Sequence, residues 1–207
     1  MTYRLKLISL VLVSIAAAGG LAAALVWAPL PPRELATGTL LVPSRALAEF
    51  SLIDHQGRGF GSANLQGHWS LMVFGYTNCP DLCPATLTTL AAVGKRLRAA
   101  KAAMPQVIFI SADAKRDTPA QLAKYVPNFD PDFIGLTAAN QSAIEAVARN
   151  WGVAVAIRPA TDGEYTVDHS GAILAIDPAG DLAAVLTGPF TVDALASDIQ
   201  RLIAGRA

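Results

Sequence analysis

The chain contains two cysteines, Cys79 and Cys83, in the segment Tyr76-Thr77-Asn78-Cys79-Pro80-Asp81-Leu82-Cys83-Pro84. His169, in Val167-Asp168-His169-Ser170, is the third candidate donor. Thiolates are soft ligands, and joined by an imidazole they suit copper. Three donors are too few for the usual closed zinc site. The same thiols could instead exchange with a disulfide. Three residues between the cysteines widen the pair relative to the common Cys-x-x-Cys oxidoreductase spacing. That suits a metal bridge without forbidding a disulfide. A disulfide here would close a very small loop and add little entropic stabilisation, so a redox or metal role is expected over a purely structural one.

These residues need elements to position them. Trp69–Gly75 is a short apolar run suited to a buried strand. Leu87 to Met104 carries apolar residues at helical spacing, with Lys95, Arg96, Arg98 and Lys101 on the opposite face. The Cys segment lies between them, where backbone N–H groups and the helix dipole favour thiolates. If residues 79–83 form a helical turn, the two side chains share a face at about 5–6 Å. If Pro84 starts the helix, Cys83 is its cap. Asp81 is expected to shape the loop through an Asx-type bond, and Phe74 and Tyr76 to pack beside it. His169 falls between two expected strands, where a loop could meet the Cys segment. His55, in an expected hairpin turn, and His68, beside Gly67, are read as surface residues.

The remaining pattern supplies a hairpin starting at Glu49–Ile53 with its turn at Asp54-His55-Gln56-Gly57, and a second buried strand over Gln106–Ala112. A short helix is expected from the Thr118-Pro119 cap to Val126, a brief strand at Phe133–Leu136, and a helix from Asn140 to Trp151 stopped by Gly152. Val153–Ile157, Gly171–Asp177 and Leu182–Leu186 read as strands, and Thr191 caps a terminal helix. Strand, Cys loop, helix, strand, helix, hairpin and terminal helix is the thioredoxin-like order. The expected class is an α/β sandwich with a parallel and an antiparallel part.

The N-terminus is different in kind. Arg4 and Lys6 precede an uncharged run from Leu7 to Ala28. As a helix its 22 residues would span about 33 Å, enough to cross a bilayer. Ala22-Ala23-Ala24 offers a signal-cleavage site, but the run continues through Leu25, Val26 and Trp27, which favours an anchor. Residues 1–6 are then cytoplasmic, 7–28 a single transmembrane helix, 29–44 a Pro-punctuated linker, and 45–207 one exported domain. Only six residues precede the run and no transit peptide is visible, so a bacterial inner membrane with the domain in the periplasm is expected. The chain has 16 basic and 16 acidic residues and no basic patch, which argues against nucleic acid as a partner.

Three segments occur in a fixed order: Tyr76-Thr77-x-Cys79-Pro80-Asp81-x-Cys83-Pro84, Asp113-x-x-Arg116-Asp117-Thr118-Pro119 and Val167-Asp168-His169-Ser170. Together, over about residues 45–205, the chain resembles the Sco/SenC family of membrane-anchored copper proteins needed for cytochrome c oxidase assembly. The resemblance implies that Cys79, Cys83 and His169 bind copper as Cu(I) or Cu(II). It also implies a role for Asp113 near the site; the alternative for Asp113 is a cap or ion pair with Arg116. Ala114 stands where the family often has Pro, which affects loop stiffness and leaves the ligands untouched. The implied partners are the binuclear copper site of oxidase subunit II, a periplasmic copper donor and a thiol reductant. A thiol–disulfide oxidoreductase that reduces the cysteines of that site, or senses redox state, is the alternative, with Cys79 and Cys83 as the redox-active pair.

Overall fold

A computed structural model describes residues 34–159 and 164–205. The expected anchor over residues 7–28 and the segment before it lie outside the described residues. No helix among the described residues is long and apolar enough to cross a membrane.

Among the described residues, ten strands and four α-helices follow in chain order. The strands are β1 (Gly38–Ala46), β2 (Ser51–Asp54), β3 (Gly59–Gly61), β4 (Ser70–Gly75), β5 (Gln106–Ser111), β6 (Ile134–Thr137), β7 (Val155–Pro159), β8 (Tyr165–His169), β9 (Ile173–Ile176) and β10 (Asp181–Leu186). The helices are α1 (Leu82–Ala99), α2 (Pro119–Tyr125), α3 (Gln141–Trp151) and α4 (Val192–Ile203). Eight strands form one sheet in the order β1-β10-β9-β4-β5-β6-β2-β3, while β7 and β8 form a separate two-stranded sheet. β4, β5 and β6 run parallel, and the flanking pairs are antiparallel. Both the parallel and the antiparallel parts expected from the sequence are present.

The central strands are apolar along their middles, Leu71–Phe74 and Val107–Ile110, because both faces are covered. Successive side chains point to opposite faces. Leu71, Val73, Val107 and Phe109 therefore join one core with Leu87, Leu90, Val93 and Leu97 of α1 and Leu195, Ile199 and Leu202 of α4. Met72, Phe74, Ile108 and Ile110 join the other, with Ile144, Val147 and Trp151 of α3. Helix starts follow local chemistry. Thr118 accepts from the Gln121 N–H with Pro119 at the first position, and Asn140 and Thr191 accept from the Ala143 and Ala194 N–H groups. Gly152 closes α3 in the left-handed region at φ 75°, where a glycine carries no Cβ penalty.

Four sequence expectations change. First, α1 spans 82–99 rather than 87–104: Cys83 and Pro84 lie inside its first turn, and Lys101, at φ 52°, turns the chain out of the helix. Proline is tolerated there because first-turn N–H groups have no intrahelical partner. Second, residues 38–44, read as linker, belong to β1, which pairs with β10. Pro43 fits because β1 is an edge strand, where one missing donor is harmless. Third, β8 was not anticipated as a strand, and His169 is its last residue rather than a loop residue. Fourth, His55 is structural: its Nδ1 accepts from the Gly135 N–H at 2.9 Å, joining the β2–β3 turn to β6. His68 is exposed, as expected.

The N-terminal end of the described domain is tied down by one carboxylate. Asp198 of α4 is fully buried and accepts from the Ala36 N–H (3.0 Å), the Thr37 N–H (2.7 Å) and the Thr37 hydroxyl (2.7 Å). Asp198→Ala leaves these donors without a partner. We expect a loss of about 2–4 kcal/mol in chemical denaturation, with faster proteolytic cleavage around residues 34–46. Unchanged stability would show that the contact contributes nothing.

Candidate metal centre

The centre begins at the C-terminal end of β4. Gly75 ends the strand, pairing with Ser111 of β5, and the chain turns through residues 76–81 into α1. The Cys79 N–H bonds the Tyr76 carbonyl at 3.1 Å. The expected Asx bond from Asp81 is not what shapes the turn: Asp81 is the N-cap of α1, but its side chain makes no capping bond. Asp117, just before α2, does this work instead. Its buried carboxylate accepts from the Thr77 N–H (2.9 Å), the Thr77 hydroxyl (2.6 Å) and the Ser111 hydroxyl (2.7 Å). Burial pushes the Asp117 carboxyl above its ordinary range, and these three donors pull against that.

The sulfurs of Cys79 and Cys83 and a ring nitrogen of His169 all lie within 4.8 Å of one another. Cys83 Sγ is 3.3 Å from His169 Nε2, and the Cys83 N–H approaches Cys79 Sγ at 3.5 Å. Both cysteines are free thiols; Cys83 is buried and Cys79 half-buried. His169 Nδ1 lies 3.2 Å from the Ser170 carbonyl oxygen. A proton on Nδ1 satisfies that carbonyl and turns the Nε2 lone pair toward the sulfurs, the arrangement a metal-binding imidazole needs. Tyr76 packs edge-on to the His169 ring at 5.8 Å. Phe74, in the core that includes α3, packs against Trp151.

The helix N-terminus was expected to favour thiolates. For Cys83 burial wins: it pushes the thiol well above its ordinary value, with the negative charge at Cys79 and Asp117 adding to the shift. Cys83 is therefore protonated at neutral pH, and a bound metal ion must displace that proton. Asp113 is not among the three donors that converge. It is fully buried beyond the end of β5, where its carboxylate pairs with Arg116 and accepts from the Tyr165 hydroxyl at 3.0 Å. The ion pair with Arg116, one of the two sequence readings, is what the geometry shows.

Sequence reasoning passed over Gly75. A Cβ at that position would lie 2.6 Å from Cys83 Sγ and 2.6 Å from Phe109 Cε2. The glycine is required so that the sulfur can sit against the strand end. A glycine closing an apolar strand directly before the cysteine segment was the available signal.

A dithiol at a strand-to-helix turn of a thioredoxin-like sheet, faced by an imidazole, defines a metal- or redox-active domain. Comparison with known proteins gives the family. The SCO1/SenC family model matches residues 40–204. The mitochondrial SCO2 homolog of Bos taurus is 42% identical over 134 residues, covering 64% of this chain and 50% of the relative. This chain thus spans about half the length of that curated relative. The crystal structure of Arabidopsis thaliana ScoI with copper bound superposes with a TM-score of 0.72 at 33% identity, covering 77% of this chain and 98% of that one. BsSco, described as a member of the Sco family of cytochrome c oxidase assembly proteins with a disulfide switch, gives 0.60 at 26% identity, covering 78% and 94%. The chain belongs to the SCO1/SenC family.

Two outcomes are expected. Gly75→Ala must displace Cys83 or Phe109, costing about 1–3 kcal/mol in unfolding free energy and changing the rate at which a thiol reagent labels Cys83. Wild-type stability and labelling would show that the close approach is unimportant. The second outcome concerns pH. An unfolded thiol ionises near its ordinary value of 9.0 while the buried Cys83 stays protonated. Above that pH the unfolded chain binds fewer protons, so stability falls as pH rises. Metal-free protein should lose stability above about pH 9, and Cys83→Ala should flatten that slope in a denaturant series. Equal slopes in the two proteins would remove Cys83 as the cause.

Proposed function

We propose that this protein binds one copper ion through Cys79, Cys83 and His169 and passes it to the binuclear copper site of cytochrome c oxidase subunit II during assembly. The observation that carries this reading is the convergence of two thiols and an imidazole within 4.8 Å, on a fold shared with a relative described with copper bound. Copper is the cargo. Three donors leave coordination positions open, so an incoming ligand can attack before a resident one leaves. Transfer then proceeds by ligand exchange. An open, largely uncharged groove of about 550 Å³ beside the site, lined by Leu82, Thr86, Gly171, Pro189 and Phe190 among others, gives a recipient access. Leu82, between the two cysteines, is 47% exposed there.

The apolar run over residues 7–28 supports an anchor in a bacterial inner membrane, N-terminus in the cytoplasm and domain in the periplasm. In that compartment the cysteines need a thiol reductant to stay available, and a periplasmic donor must load the site.

A second reading rests on the same pair. Both cysteines are free, and their sulfurs lie within 4.8 Å. Attack by one thiolate on a recipient disulfide gives a mixed disulfide, which the second thiolate resolves. Two electrons and two protons pass to the recipient, leaving Cys79 and Cys83 oxidised. His169 separates the readings, because a dithiol reductant has no need of it.

Copper titration of the reduced full-length protein is expected to give one equivalent per chain and a thiolate-to-Cu(II) charge-transfer band. His169→Ala should weaken or abolish that band, and Cys79→Ser or Cys83→Ser should lower Cu(I) affinity more than tenfold, roughly the scale at which lost ligand support is felt. Undiminished copper binding in all three variants would overturn the ligand assignment. Rescue of an oxidase defect by added small thiols, but not by copper, would favour the reductant.

A further inference from the structure

Resting on the copper-site reading above, we propose that Asp113, Arg116 and Tyr165 form a latch that positions His169 over the cysteines and so sets the ability of the site to hold Cu(II). The latch acts through His169 and touches no metal itself.

The need for a latch comes from topology. His169 rides on the β7–β8 hairpin, whose two strands pair with each other in register from Val155↔His169 to Pro159↔Tyr165. That pair forms its own sheet, with no ladder to the eight-stranded sheet that carries the cysteines. Backbone pairing therefore does not fix the imidazole relative to the two sulfurs. Side chains must.

Strand period places Tyr165, Val167 and His169 on one face of β8, with Thr166 and Asp168 on the exposed face. Each of the inward three has its own partner on the main domain. Val167 packs with Tyr76 and Ala112. His169 meets Cys83. Tyr165 is gripped three ways: its hydroxyl donates to Asp113 Oδ1 at 3.0 Å, its carbonyl accepts from Arg116 Nη1 at 3.3 Å, and its ring lies 3.8 Å from the guanidinium carbon of Arg116. A cation stacked that closely on an aromatic face, next to a shared carboxylate, makes a directional contact.

The other end of the latch is rigid. Asp113 is fully buried, its N–H bonds the Ser111 hydroxyl at 3.0 Å, and its carboxylate both pairs with Arg116 Nε and accepts from the Arg116 N–H at 3.2 Å. Ser111 is also bound by Asp117, which holds Thr77 in the Cys segment. One hydrogen-bonded chain thus runs from the cysteine loop, through Asp117, Ser111 and Asp113, to the strand that ends in His169. Arg116 also lies 5.6 Å from the ring of Tyr76, which packs edge-on to the imidazole.

The consequence for copper follows from ligand preference. Two thiolates alone serve Cu(I), a soft ion content with low coordination. Cu(II) favours a nitrogen donor and a fuller set. Loosening the hairpin therefore weakens Cu(II) binding selectively.

The test is anaerobic copper titration of full-length Tyr165→Ala, Tyr165→Phe, Arg116→Met, His169→Ala and the Tyr165→Ala/His169→Ala double variant, with Cu(II) electron paramagnetic resonance. Tyr165→Ala is expected to lower Cu(II) affinity about 10–100-fold and to weaken nitrogen hyperfine coupling. Its Cu(I) affinity, carried by the cysteines, should change far less, which also reports an intact cysteine side. Tyr165→Phe keeps the ring and loses one hydrogen bond, so it falls between Tyr165→Ala and wild type. The double variant should lose no more Cu(II) affinity than His169→Ala alone. If Arg116→Met leaves Asp113 unpaired and does not fold, the Tyr165 variants decide the matter. Wild-type Cu(II) affinity and nitrogen coupling in Tyr165→Ala, or additive losses in the double variant, would overturn the latch while leaving the copper site standing. Unchanged Cu(II) binding in His169→Ala would overturn both.

Discussion

One buried carboxylate holds the cysteine segment to the sheet. Asp117 has no solvent exposure, and an ionised group there is tenable only with donors around it. Thr77 supplies two and Ser111 a third. Thr77 stands two residues before Cys79, and Ser111 ends β5 opposite Gly75 in the parallel ladder. The hydrogen bonds therefore convert the register of two central strands into the position of a loop that would otherwise have only its own short turn to define it. Cys83 then enters the first turn of α1 against the bare backbone of Gly75. The dithiol is placed by strand register, a missing side chain and a carboxylate, with little contribution from the cysteines themselves.

The third donor arrives by a different route. The two cysteines share one strand-to-helix turn, Cys79 in the loop and Cys83 in the first turn of α1. His169 instead comes from a hairpin late in the chain, so the set exists only when the tertiary fold is complete. A chain with partial tertiary structure has a dithiol and no imidazole beside it. Burial of Cys83 acts in the same direction: the folded, metal-free centre holds a protonated Cys83 thiol against the His169 ring rather than a second bare thiolate beside Cys79. This arrangement lets the donors stand within 4.8 Å of one another without the repulsion two adjacent thiolates would impose.

Much of the fold was legible because the relevant signals are local. β4 and β5 announce themselves as apolar runs, and α2, α3 and α4 through Thr118-Pro119, Asn140 and Thr191. Cys79, Cys83 and His169 were readable from residue type and context. What escaped depends on tertiary contacts. β1 contains Pro43 and lies on an edge, so it reads as a linker until β10 is seen beside it. β8 has two polar outward residues and one buried valine in five positions, a weak alternation that its packing against Tyr76 and Ala112 makes sufficient. Asp117 looked like one part of a motif, and nothing in the sequence distinguishes its three-donor role from the Asp113 pairing four residues earlier. Gly75 needed the position of Cys83 Sγ to acquire meaning.

Among the described residues, the open sheet ends in the edge strands β1 and β3, and neither offers a docking ladder. On one side β1 carries Pro43, which has no N–H to give, and its pairing with β10 shifts register between Leu40 and Arg45. On the other, β3 is only three residues long. An incoming strand would find no continuous row of backbone groups on either flank, so growth of the sheet from chain to chain is discouraged. For a domain carrying a free dithiol, this protection disfavours encounters through strand addition and leaves side chains and loops to make them.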